Sequence, residues 1–131
     1  RHKESYGGLN DLEQRILGKI RNSLGTERLE RAIVYLDHKP KRAGEYLHVA
    51  DVIIDLPWDG HVAFVDLEPK ANWGHACSYF SIRLDGEEVI ELPAQMPPFL
   101  KAGASDFRLL WRGGLAPEWA VAGISSRAGP V

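Results

Sequence analysis

The chain has almost no cysteine. Of its 131 residues one, Cys77, carries a thiol, so no internal disulfide can hold the fold. A chain of this length can bury an adequate apolar core without cross-links. Long apolar runs are missing too. No stretch reaches the ~18 residues of a membrane span, and no basic segment followed by an apolar one opens the chain as a secretory leader would. One cysteine and no visible leader favour the cytoplasm as an expectation. The chain opens on Arg1 rather than Met, so it is read as part of, or processed from, a larger polypeptide. Charge of one sign is also lacking. Sixteen basic and 18 acidic residues leave a formal charge of −2, with no broad electrostatic footprint for nucleic acid or an anionic membrane, and neither is expected as a partner.

Catalytic signatures are equally scarce. The sequence contains no P-loop, G-x-G-x-x-G, G-x-S-x-G or H-E-x-x-H pattern. Its 13 glycines are spread over turns instead of gathered in a phosphate-cradling loop. No cofactor is expected.

What is present reads as one domain. Hydrophobic residues make up 44% and charged residues 26%, ordinary globular usage. The polar stretch 1–8 is read as a flexible arm, 9–124 as a single domain and 125–131 as a frayed tail. Charge is uneven along it: residues 1–44 hold 10 basic and 6 acidic side chains, the remainder 6 and 12. Two solvated faces explain this. A basic helical surface, with Arg15, Lys19 and Arg21, docking on an acidic partner or on the domain's own sheet is the sharper alternative.

The first element is a helix near 11–24. Asn10 can accept from an unpaired backbone N–H and Glu13 follows at capping-box spacing. Leu12, Ile16, Ile20 and Leu24, with Leu17, form one apolar stripe. Gly25 suits the stop. Thr26 could cap a second helix with Leu29, Ala32, Ile33 and Leu36 at helical spacing, yet the run at 31–37 is β-branched and aromatic, so a helical turn at 26–30 followed by a strand at 31–37 is the preferred reading of the two. Then "HKPKRAG" (38–44) reads as a turn. Residues 45–56 and 61–67 read as strands joined by a hairpin at Asp59-Gly60. The second is apolar on both faces (Val62 and Phe64 against Ala63, Val65 and Leu67), which predicts a central strand covered on both sides.

From Ala76 the alternation is clean. Phe80, Ile82 and Leu84 share one face; Cys77, Tyr79, Ser81 and Arg83 share the other. A three-residue turn, Leu84-Asp85-Gly86, predicts Phe80 opposite Ile90 and Arg83 opposite Glu87, with Gly86 left-handed. A two-residue turn would instead pair Ile82 with Val89 and Phe80 with Glu91. Residues 107–113 and 118–124 are the last strand candidates. The expected fold is α+β: an N-terminal amphipathic helix packed on an antiparallel sheet of four to six strands, with a β-sandwich bearing an appended helix as the alternative.

Three functional readings remain open. Cys77 with His75, or with His61, would make a small cysteine-dependent hydrolase, which needs a thiolate and a base within hydrogen-bond reach. Residues two apart on a strand hold such a pair poorly, and a structural cysteine at a strand start is the plain explanation. His75, Cys77 and His61 could instead hold a metal, with Asp66 or His48, yet the paired ligands of zinc signatures are absent. The scattered acids Asp51, Asp55, Asp59, Asp66, Glu68 and Asp85 match no calcium loop and read as turn and surface groups. The leading reading is a noncatalytic protein-interaction or accessory domain whose partner is another protein or domain. Its contact surface would be the loop 66–76, with Glu68, Asn72, Trp73 and His75, and Trp58 nearby. Large aromatics at a loop serve as interaction anchors, against the plainer reading that they plug the ends of the core.

Overall fold

A computed structural model describes residues 8–49, 52–71, 74–98 and 106–121. Asn72 and Trp73, the arm before Gly8 and the tail after Val121 lie outside the described residues. Helix α1 spans Asp11–Leu24. Asn10 Oδ1 accepts from the Glu13 N–H at 2.8 Å, and the Asn10 N–H donates back to Glu13 Oε1 at 2.9 Å, the expected capping box. Gly25, at φ 95°, ends the helix in a conformation that favours glycine. It is also the N-cap of α2 (Thr26–Glu30), where no side chain caps, so Thr26 is the first helical residue and not the cap.

Seven strands follow: β1 (Ile33–Lys41), β2 (Tyr46–Val49), β3 (Val52–Asp55), β4 (Gly60–Asp66), β5 (Cys77–Arg83), β6 (Val89–Ala94) and β7 (Phe107–Arg112). Five of them form an antiparallel sheet in the order β6-β5-β4-β1-β7, and β2 and β3 form a separate two-stranded sheet. The fold is α+β, one main helix on a five-stranded antiparallel sheet, as the sequence predicts.

The sheet is covered on both faces. Ile16, Leu17, Ile20 and Leu24 of α1 pack with Val34, Leu36, Ala63, Val65, Phe80 and Ile82 on one. On the other, Tyr35, Val62, Phe64 and Tyr79 lie beneath Ile54 and Leu56, with Ala116 and Val121 from the chain's later part. The two-faced apolar pattern of β4 follows from its central place, with β1 and β5 on either side. Burying each large aliphatic of α1 stabilises the fold by about 1.5–3 kcal/mol.

Five expectations need correction. Residues 45–56 are not one strand but a hairpin, with Leu47 opposite Ile54 and Val49 opposite Val52. The apolar alternation slips by one between Val49 and Val52, so a straight strand would split Leu47 and Ile54 between two faces. Folding back puts both toward the core.

Asp59-Gly60 is consequently not a hairpin turn, because β3 and β4 belong to different sheets. Asp59 instead receives the Ala43 N–H on its carboxylate and the Leu84 N–H on its carbonyl, both at 2.8 Å. A Cβ on Gly60 would meet the Ile82 carbonyl at 1.9 Å, so the glycine answers a close backbone approach.

The β5–β6 register is the one expected from the shorter turn, with Ile82 opposite Val89 and Phe80 opposite Glu91. The other register would have set Glu88 opposite Ile82. The observed one lets Val89 and Leu92 join the two cores and leaves Ile90 47% exposed, and Gly86 is not among the described glycines with positive φ.

The turn expected over 38–44 begins later, at Ala43, because β1 runs on to Lys41 through an irregular register that accommodates Pro40. Residues 118–120 form a short 3₁₀ turn, not a strand; Pro117 precedes it, and Val121 plugs the second core. Residues 122–124 lie outside the described residues.

Candidate functional site

The β4–β5 connection is anchored at its base by one carboxylate. Asp66 ends β4 opposite Cys77, the first residue of β5. Its Oδ1 accepts from the Glu68 N–H at 3.1 Å and lies 2.7 Å from His75 Nε2. Both side chains are buried. An ionised carboxylate only accepts, so the ring nitrogen donates. Burial pushes the Asp66 carboxyl above its usual range, and the contacts with His75 and the Glu68 N–H offset that only in part.

Cys77 stands beside this pair without joining it. Its Sγ donates to the Met96 carbonyl at 3.7 Å, the same oxygen that receives the Tyr79 hydroxyl at 2.9 Å. Burial, and then the Asp66 charge, push the thiol up to about 12. A thiol so placed stays protonated at neutral pH, whereas the attacking form is the thiolate. His61 cannot activate it either. It sits at the opposite end of β4, opposite Ile82, in the row of alternate residues that faces α1. The structure therefore brings together His75 and Asp66, and does not bring together Cys77, His75 and His61. Among the described residues no group of three or more His, Cys, Asp or Glu side chains could hold a metal ion.

The tryptophans divide. Trp111 is core, and its Nε1–H donates to the Leu29 carbonyl at 3.3 Å. Trp58 is partly buried between β3 and β4, and its Nε1 has no hydrogen-bond partner among the described residues. Trp119, at 65% exposure, is the most open of the described ones. His48 lies in the separate hairpin, opposite Ile53.

The loop after Asp66 forms one wall of a groove of about 440 Å³. Leu67 and Pro69 line it from this loop, Leu115 and Pro117 from the turn after β7, and Arg31, Glu68 and Lys70 bring charge. The second wall is held firmly. The Gly113 N–H donates to the Ala32 carbonyl (2.9 Å), the Leu115 N–H to the Glu30 carbonyl (2.8 Å) and the Gly114 N–H to the Glu30 carboxylate (3.1 Å). A Cβ on Gly113 would meet the Glu30 carbonyl oxygen at 2.2 Å, so only glycine lets the turn approach α2 this closely. The turn presents Leu115 with 58% of its surface open.

Of the binding residues picked from the sequence, Glu68 lines this groove and His75 anchors its loop from beneath; Asn72 and Trp73 lie outside the described residues. Arg31, Leu115 and Pro117 were missed, because residues 31, 67–71 and 115–117 meet only through the sheet order. The available signal was an apolar residue, Leu115, set between "GG" and "AP" where a turn is expected to be polar. Comparison of the chain with protein-family models, with curated proteins and with solved structures found no match in any of the three.

Proposed function

We propose that the chain is a noncatalytic protein-interaction domain that takes a segment of a partner protein in the groove between the 67–71 loop and the 113–117 turn. The observation that carries this reading is the composition of the groove: Leu67, Pro69, Leu115 and Pro117 with Arg31, Glu68 and Lys70. Apolar contact area with charged groups beside it is how interaction surfaces combine affinity with orientation. The two walls are already in place, so little ordering cost opposes binding. The high proton affinity of Cys77 favours binding over thiol chemistry in the same region.

The test is capture followed by measurement. A partner cross-linked to the wild-type protein in extracts of its source is identified, purified and titrated against wild type and Leu115→Glu. Burying a charge where Leu115 sat is expected to weaken binding at least about tenfold, as loss of an interface anchor does. Equal affinity of both proteins for every captured partner would remove the groove as the contact surface.

A further inference from the structure

The seam between α1 and the sheet contains a titratable group that the interaction reading does not use. His61 is 5% exposed and makes no hydrogen bond to any described residue. Its row on β4 continues through Ala63 and Val65 against α1. It lines a cleft of about 10 Å³ with Leu12, Arg15, Ile16 and Lys19 of α1 and Ile82 and Arg83 of β5, at the threshold for one water molecule.

The charges that face His61 are mostly positive. From α1 they are Arg15 and Lys19, from β5 Arg83, and from β1 His38, Lys41 and Asp37. Asp37 is held by Lys41 Nζ at 2.9 Å. Lys19 and Arg83 reach away to the β5–β6 turn, Lys19 to the Gly86 carbonyl and Arg83 to Asp85. Arg15 has no such partner among the described residues.

We infer that His61 is an acid-sensitive latch on α1: with the ring neutral the helix lies closed on the sheet, and with the ring protonated the seam opens. A cation here is largely buried and faces more cations than anions, whereas in the opened state it meets water. Burial, and then the His38 charge, lower the proton affinity of His61 in the closed state. The sign follows from linkage. A base with a depressed folded-state value contributes stability that is complete above the ordinary histidine value of ~6.5 and is lost as pH falls through the lowered value. Two features oppose the latch. The Asp37 charge favours the protonated ring of His61, and His38 Nε2 lies 2.6 Å from Glu13 Oε2, so a charged His38 holds the first turn of α1 more tightly.

The test is hydrogen exchange of the α1 amides, expressed as protection factors, from about pH 7.5 to about pH 5, the range over which histidines titrate. Wild type and His61→Gln are compared. In wild type, protection of α1 is expected to fall on acidification by about tenfold for each pH unit of depressed proton affinity, and His61→Gln, which keeps the His38–Glu13 contact, should not fall. A parallel fall in wild type and His61→Gln, or no fall in wild type, would overturn the latch. If His61→Gln does not fold, Arg15→Ala serves in its place. Removing that cation is expected to shrink the loss, and an unchanged curve would count against the proposal.

Discussion

Cys77 Sγ donates to the Met96 carbonyl and not to an imidazole. The thiol is raised to about 12, so any stability it contributes is complete below the unfolded value of ~8.5 and disappears only as pH rises toward 12. Titration of native protein with a thiol reagent is expected to show no reactive thiolate near neutral pH, and rapid reaction once the chain is unfolded. A native midpoint below ~8.5 would reopen the nucleophile reading. His75 matters more to stability. His75→Ala leaves the buried Asp66 with the Glu68 N–H alone, and a buried carboxylate without its partner costs about 1–3 kcal/mol. The loss should appear in denaturant unfolding at neutral pH. It should shrink in acid, as Asp66, already raised by burial, takes up a proton. The sequence displayed Asp66, His75 and Cys77 within twelve positions, but which of them would pair was hidden. That choice depends on the side-chain geometry at the ends of two strands.

Among the elements, α1 was the most legible. Its signals are local: a cap, a stripe at helical spacing and a glycine stop. The start of β1 was narrowly readable, because Leu29, Ala32, Ile33 and Leu36 also fit helical spacing and only the β-branched run tipped the choice to a strand. The hairpin of β2 and β3 was not legible, because the pairing of Val49 with Val52 leaves only a one-residue slip in alternation to mark it. The β5–β6 register also failed at one choice. Matching Phe80 with Ile90 ignored what the same shift does to Glu88, and in an edge strand a half-buried Glu91 that accepts the Ser78 hydroxyl at 2.7 Å is tolerable. The 113–117 turn offers the sharpest element-scale test. Gly113→Ala must push the turn away from the Glu30 carbonyl, a steric conflict with backbone that is expected to destabilise by about 1–3 kcal/mol, read as a lower denaturation midpoint. Gly114→Ala, which meets only the end of the flexible Glu30 side chain, should cost less. Equal effects at the two positions would show that α2 does not clamp the turn.

At the scale of the molecule, two cores share one sheet, and the groove lies where segments far apart in sequence converge. The fold class was readable because a helix followed by a run of strands favours an antiparallel sheet with segregated layers. The groove was not, because no periodicity encodes the meeting of residues 31, 67–71 and 115–117. Amide hydrogen exchange of the domain, free and saturated with its captured partner, tests the interaction reading most directly. The account predicts slowed exchange at 67–71 and 113–117, with little change in β2 and β3. Protection confined to the β2–β3 hairpin or to α1, with the two groove walls exchanging as in the free protein, would contradict it.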